Sequence, residues 1–494
     1  FDWSGISPAI FGSLFQSIMD EKSRRNLGAH YTSEKNILKL IRPLFLDELY
    51  SELEKAGSEK RALDALHKKI ASLKFLDPAC GCGNFLVVAY RELRLLEIEI
   101  LKRKFKDEGL FDAGERVIVD VDQFYGIEIE EFPALIAQVA LWLTDHQMNM
   151  KVGDLFGEVP ARLPLRKSAT IVNKNALRIN WEEVVPNSEL SYILGNPPFV
   201  GKQYQKEEQK VDITEIWKGV KGAGVLDYVT CWYKKAAEYI QGTKIPVAFV
   251  STNSITQGEQ VPILWKLLLE KLNIQINFAH RTFKWSNDAT GRAGVHCVII
   301  GFGCSNDLQK RIFDQDESLD VTVEIKAKNI NPYLVDAENF VLEARRVPIC
   351  SVPEIIFGSM PNDGGHLFFD EGGKNELLDK EPGALPYIRK FIGADEYINN
   401  LTRWCLWLKG ISPDELRKWP EVLKRVEKVK AHRLNSNRLS TKKLAQTPTL
   451  FGEDRQPQSD YLVIPRVSSE KRRYIPIGFL PAPVIAGDSV FIIP

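Results

Sequence analysis

Three short stretches of the chain carry residue types that could do chemistry together. In the first, Asp77-Pro78-Ala79-Cys80-Gly81-Cys82-Gly83-Asn84-Phe85, glycines and small residues follow an apolar run and lead into a helical pattern. Only such residues let the backbone approach a ligand closely at the carboxyl edge of a parallel sheet. A dinucleotide fingerprint would require a third glycine where Leu86 stands, with phosphates over the helix N-terminus. Asp77 at the strand end instead suits a ligand carrying positive charge. In the second stretch, Gly126-Ile127-Glu128, a strand-end carboxylate is placed to accept hydrogen bonds from ribose hydroxyls, as at the second strand of Rossmann-type folds. The third, Leu194-Gly195-Asn196-Pro197-Pro198-Phe199, is a strand end stiffened by two prolines. Asn196 and the Pro197 carbonyl would be held as acceptors converging on one amino group, making its nitrogen more nucleophilic as it turns tetrahedral. Phe199 offers a flat face for an aromatic ring.

The elements that must position these residues follow from apolar spacing. Ser7 and Pro8 open a helix over 7–19, a second follows the Gly28-Ala29-His30-Tyr31-Thr32 turn with Ile37, Leu40, Ile41 and Leu44 on one face, and a third covers roughly 51–72. Short apolar runs at Phe75-Leu76-Asp77, Phe124–Glu128, 170–172, 192–194, 247–250 and 295–300 then alternate with helical patterns at 84–106, after residue 130 and around 226–240. Strands alternating with helices predict βαβ units and a mainly parallel sheet covered on both faces. The alternation fades near residue 310, where a domain boundary is expected. Beyond it come irregular segments, an extended stretch at 321–325 and a basic helical piece over 413–434.

Composition bounds the function classes. With 494 residues, 44% apolar and 26% charged, the chain excludes collagen-like, disulfide-scaffold and disordered classes and is long enough for two or three domains. Its formal charge is zero, which taken alone speaks against a polyanion partner. The balance is uneven, however: residues 401–494 hold 17 Lys+Arg against 9 Asp+Glu, leaving 48 against 56 in residues 1–400. Such asymmetry is a better indicator of a polyanion-facing surface than the total. Seven cysteines lack zinc-site or disulfide spacing, so a reducing compartment is expected. No run of 18 apolar residues predicts a membrane span. The start at Phe1 and the apolar end suggest a fragment of something longer.

Together the motifs resemble the class I S-adenosylmethionine-dependent methyltransferases that act on exocyclic amino groups, and Asn196-Pro197-Pro198-Phe199 points to the adenine-N6 DNA enzymes. The order, with Tyr31-Thr32 before Asp77, Asn196 after it and the basic segment last, is similar to the gamma-class arrangement. Within that class the chain looks most like the methyltransferase and target-recognition part of MmeI-like (type IIL) restriction-modification proteins, over nearly its whole length and most strongly over 26–200.

The resemblance implies a fold and a set of roles. The fold is a Rossmann-like α/β methyltransferase domain over 73–310, preceded by a helical segment over 1–72 and followed by a mixed α+β recognition domain over 311–494, expected to be truncated. Asp77, Ala79, Gly81 and Gly83 would surround the methionine moiety of S-adenosylmethionine and Glu128 its ribose, while Tyr31 and Thr32 would close over it. On the adenine side, Asn175 fits the family spacing better than Asp154. Asn196, Pro197, Pro198 and Phe199 would hold a target adenine flipped out of duplex DNA, with no external base required. Arg417, Lys418, Lys424, Arg425, Lys428, Lys430 and Arg433 on a helix, and Lys471, Arg472 and Arg473 on a turn, would contact phosphates, with one or two arginines reaching guanine edges. No metal is expected: Cys80 and Cys82 lack partners, and Asp320 with Glu324-Ile325-Lys326, a nuclease-like pattern, reads more simply as the solvated face of a strand. A nuclease fused to or associated with this chain is expected to lie outside it, and the location implied is the cytoplasm of a prokaryote, at the nucleoid. The rivals are methylation of RNA or of a protein glutamine, and a defence subunit that binds DNA without turnover.

Overall fold

In a computed structural model, which describes residues 33–105, 116–157, 168–285, 295–306, 309–316, 321–345, 347–469 and 472–494, the apolar spacing after Ser33 produces helix α1 (Glu34–Ile41), with Ile37, Leu40 and Ile41 buried. The expected helix at 7–19 and the Gly28–Thr32 turn lie outside those residues. The single helix expected over 51–72 is two, α2 (Asp47–Ala56) and α3 (Lys60–Ser72). Gly57 between them has φ +54°, a positive φ that ends one helix and that side chains with a Cβ avoid.

The alternation follows: β1 (Phe75–Asp77), α4 (Asn84–Lys104), β2 (Phe124–Glu128), α5 (Glu131–Phe156), β3 (Thr170–Asn173), β4 (Tyr192–Gly195), α6 (Glu207–Ile216), α7 (Thr230–Tyr239), β5 (Val247–Thr252), α8 (Gln260–Lys266), β6 (Gln275–Trp285), β7 (Val295–Gly303), β8 (Lys310–Asp316) and β9 (Val321–Ala327). These strands form a nine-stranded sheet of order β3-β2-β1-β4-β5-β7-β6-β8-β9. The first five are parallel, and β7 runs antiparallel between β5 and β6.

Successive residues of the central strands serve opposite cores. Phe75, Leu194, Ala248 and Ile299 pack with α1 to α5, whereas Leu76, Ile193, Phe249 and Ile300 pack with α6 to α8. Burial on both faces is why these strands read as continuous apolar runs rather than as alternations. On the first face Phe75 stacks on Phe124 at 5.0 Å and meets Phe45 at 5.1 Å, fixing the position of β1 and hence of Asp77.

Packing carries the first compact unit past residue 310, to Ala344, and the second is Arg345–Pro494. The sheet continues because β8 pairs with β6 and β9 with β8, buried Ile312 lying opposite Ile325. Polar residues such as His280, Arg281 and Lys284 in β6, and Lys310, Arg311 and Asp314 in β8, hid these strands from an apolar-run reading.

The second unit holds β10 (Ile356–Phe357), β11 (Phe368–Phe369), α9 (Glu371–Lys380), β12 (Ile388–Ile392), α10 (Ala394–Asn399), β13 (Arg403–Leu406), α11 (Pro413–Leu416), α12 (Pro420–Leu434), α13 (Leu439–Lys443), β14 (Tyr461–Pro465), β15 (Gly478–Leu480), β16 (Ile485–Ala486) and β17 (Val490–Ile493). Its strands form two four-stranded sheets, β10-β17-β14-β15 and β11-β13-β12-β16. Helix α12 lays Val422, Val426 and Val429 into a core with Phe369, Phe391 and Leu406. No described helix is long and apolar enough to cross a membrane.

Candidate active site

In the order β3-β2-β1-β4-β5 the chain builds outward in opposite directions from β1 and β4, so a crevice opens at their carboxyl ends. The three motifs meet along this edge: Asp77 ends β1, Glu128 ends β2, and Gly195 ends β4 just before Asn196.

The Asp77 loop is held tightly from below and is open above. Asp77 is 1% exposed and its Oδ1 accepts the Ala79 N–H at 3.0 Å. The Cys80 N–H donates to the Ile127 carbonyl at 3.1 Å, tying the loop to β2. Gly195 has φ +157°, and a Cβ there would lie 2.5 Å from Asp77 Oδ1, so glycine is what lets β4 approach the carboxylate. Gly83 has φ +83° and comes so close to α5 that a Cβ would stand 2.9 Å from that of Ala137. Above Gly81, at φ +54°, a Cβ would meet nothing within 4 Å, which is the space a ligand needs over the turn. Glu128 is oriented by two backbone donors, Gly81 N–H to Oε2 at 2.8 Å and Glu130 N–H to Oε1 at 3.0 Å. Each oxygen retains capacity for another donor, such as a diol hydroxyl. Ile129, which no motif singled out, follows Glu128 as an apolar side chain 56% exposed.

Burial, with Glu128 nearby, pushes the Asp77 carboxyl up from the ordinary 3.8 to about 8, against the lowering effect of the Ala79 N–H. Glu128 is also raised, chiefly by burial. Two carboxylates that lose water without gaining a cation fit a positively charged ligand, which would restore the ionised form. The sign is definite. Between about pH 4 and 8 the folded protein holds a proton on Asp77 that the unfolded chain has released, so this group erodes stability as pH rises through that window. Relative to the wild type, Asp77→Asn should therefore melt at progressively higher temperature from pH 5 to pH 8. The affinity of the wild type for a cationic ligand at this carboxylate should climb over the same range and level off above about pH 8. Thermal scans and calorimetry at several pH values read both. Burial raises Cys80 well above the usual thiol range and Cys82 to about 12, so both thiols stay protonated.

On the third motif, Pro197 is buried while Asn196, Pro198 and Phe199 are half-buried, and Phe199 packs against the cores of both sheet faces. The loop is fixed from behind: the Val200 carbonyl accepts the Tyr228 N–H at 3.0 Å and Gln205 Nε2 at 3.1 Å. Trp232 Nε1 likewise donates to the Pro78 carbonyl at 3.0 Å. Asn175 lies just beyond β3, with Oδ1 accepting the Leu177 N–H at 2.9 Å and Nδ2 donating to Asp212 at 3.2 Å. Asp154 is exposed near the end of α5 rather than at the strand edge. Tyr31 and Thr32 lie outside the described residues.

The basic segment divides. Arg433 is fully buried, and its guanidinium donates to the carbonyls of Pro361, Asn362, Leu444, Thr447 and Leu450. It therefore cannot contact DNA as expected, because its donors are spent inside the fold. Arg425 is half-buried, donating to His366 and Phe368 carbonyls beside the Phe369 ring. Arg417 and Lys424 are exposed but paired within their own helical turns, to Asp414 and Glu421. Lys428, Arg472 and Arg473 are exposed, and Lys471 lies outside the described residues. So does Asp320, while Glu324 and Lys326 are exposed on edge strand β9. Among the described residues no three His, Cys, Asp or Glu are grouped to hold a metal.

Comparison with known proteins gives these elements a family. Residues 53–314 match the MmeI DNA-methyltransferase domain and residues 336–494 the MmeI target recognition domain. DNA methyltransferase A of Bacillus subtilis (strain 168) is 42% identical over 497 residues, covering all of this chain and 55% of the relative. A putative type II restriction enzyme and methyltransferase of Methanocaldococcus jannaschii is 27% identical over 165 residues, 28% of this chain and 14% of that protein. The structure of the type IIL restriction-modification enzyme MmeI in complex with DNA superposes with TM-score 0.87 at 55% identity, over all of this chain and 66% of that one. The chain thus spans about half the length of the curated relative with which it shares 42% identity. With one match covering more than half of its residues and a second taking up most of the remainder, this chain belongs to the MmeI family of DNA methyltransferases with a target recognition domain.

Proposed function

We propose that this chain transfers a methyl group from S-adenosylmethionine to the N6 amino group of an adenine in a specific duplex DNA sequence, within a restriction-modification or related defence system. The observation that carries the reading is the meeting of Asp77, Glu128 and Asn196-Pro197-Pro198-Phe199 on one sheet edge, in a chain of this family. When bound, the cofactor supplies a methyl group already activated on a sulfonium. Asp77 sets a negative charge against its cationic moiety, Glu128 accepts from its ribose, and exposed Ile129 and the Asn175 turn border its adenine. Asn196 and the Pro197 carbonyl hold the target amino group, Phe199 stacks on the flipped base, and no side chain is needed as a base before attack. Lys428, Arg472 and Arg473 supply phosphate contacts.

Incubating the protein with duplex DNA and labelled S-adenosylmethionine, followed by sequencing that reports modified bases, tests this directly. Label in N6-methyladenine at one recurring sequence is expected. Label in RNA or protein but not in duplex DNA would replace the substrate assignment, and cofactor binding without label in any of them would leave a DNA-binding subunit.

A further inference from the structure

Asp212 belongs to none of the motifs, and on α6, among exposed Glu and Lys residues, it reads in the sequence as one more solvated acid. In the fold it is 5% exposed and is a meeting point. Its Oδ2 accepts from Asn175 Nδ2 at 3.2 Å and from the Tyr228 hydroxyl at 2.6 Å, and its Oδ1 accepts from Arg178 Nε at 2.7 Å. Tyr228 in turn gives its backbone N–H to Val200, the residue after Phe199, and its ring meets the edge of Trp232 at 5.3 Å. Trp232 donates to the Pro78 carbonyl, next to Asp77. One buried carboxylate therefore connects the turn after β3, the Asn196 loop and the Asp77 loop through neighbouring contacts.

We propose that Asp212 is a positioning residue that couples the cofactor-side turn at Asn175 to the Asn196–Val200 loop, so that binding of S-adenosylmethionine at one edge of the crevice fixes the geometry of the target-base loop at the other. The inference rests on the function proposed above. Its physical basis is that both Asn175 and Tyr228 donate to the same oxygen: ordering one donor fixes the carboxylate and thereby the other. A residue serving stability alone would show no such dependence between them.

A double-mutant cycle separates the two cases, using calorimetric affinity for S-adenosylmethionine without DNA and methyl transfer with it. The combined effect of Asn175→Ala and Tyr228→Phe should depart from the product of the single effects by about 3-fold or more, as for side chains sharing one network. In an Asp212→Ala background, which removes the shared acceptor, the departure should vanish. Independently, cofactor should slow amide hydrogen exchange in peptides spanning 199–205 and 226–232 in the wild type and fail to do so in Tyr228→Phe. Multiplicative effects, or exchange in these peptides indifferent to cofactor, would overturn the role of Asp212. If Asp212→Ala does not fold, the cycle in the wild-type background and the exchange data still decide. An active enzyme with multiplicative effects would sink this coupling and leave the methyltransferase reading standing. Non-additive binding without transfer to DNA would do the reverse, and absence of cofactor affinity in the wild type would overturn both.

Discussion

Replacing Asn196 with alanine should lower the rate of methyl transfer about 100- to 1,000-fold, the range seen when one preorganised partner of a reacting group is removed, while leaving cofactor affinity within about 3-fold. The split is expected because Asn196 follows β4 whereas the loop proposed to meet the cofactor follows β1, and each loop has hydrogen bonds of its own besides the Tyr228–Trp232 contact between them. The Asp77 loop is tied to Ile127 and Glu128, and the Asn196 loop to Tyr228 and Gln205. Asp77→Ala should behave differently, losing about 10- to 100-fold in cofactor affinity with the loss of a charge-assisted contact, and losing transfer as a consequence. Calorimetry with S-adenosylmethionine beside single-turnover transfer on cognate DNA measures both quantities. Equal loss of cofactor affinity in the two variants would mean that Asn196 serves the cofactor rather than the target base.

Arg433→Ala should destabilise the second unit by about 3–5 kcal/mol, because several of the five carbonyls that its guanidinium satisfies would be left buried without a donor. Lys428→Ala, which removes an exposed charge from the same helix, should change stability by no more than about 0.5 kcal/mol and should instead flatten the salt dependence of DNA binding by roughly one ion. Chemical denaturation and binding titrations over a range of salt concentrations read the two effects separately. A stable Arg433→Ala protein with weakened DNA binding would reverse the assignment made from burial.

That the three motifs share one sheet edge is legible because each is a short local pattern. Asp77 with Gly81 and Gly83, Glu128 at a strand end, and Asn196-Pro197-Pro198-Phe199 each announce a turn at the end of an apolar run, and strand ends are where α/β sheets place ligands. On the basic helix, charge alone misplaces Arg433, because Val422, Val426, Val429 and Arg433 recur at helical spacing and so share the face that α12 buries. No comparable signal marks Asp212, whose partners come from the turn after β3 and from Tyr228, both distant in sequence. Strands β6 and β8 carry no apolar-run signal because they mix charged residues with apolar ones, and pairing rather than apolar content places them.

By itself the sequence determined the α/β class, the order of the motifs, and which residue types could meet a cationic cofactor and an amino group. These are properties of nearest neighbours and short periods, so they survive without a fold. Tertiary structure alone decided which charges are solvated and which are spent. It placed Gly195 against Asp77, raised that carboxyl to about 8, took Arg433 out of reach of any polyanion, and made Asp212 common to two loops. Such outcomes depend on desolvation and on hydrogen bonds between residues far apart in the chain, which no local pattern encodes.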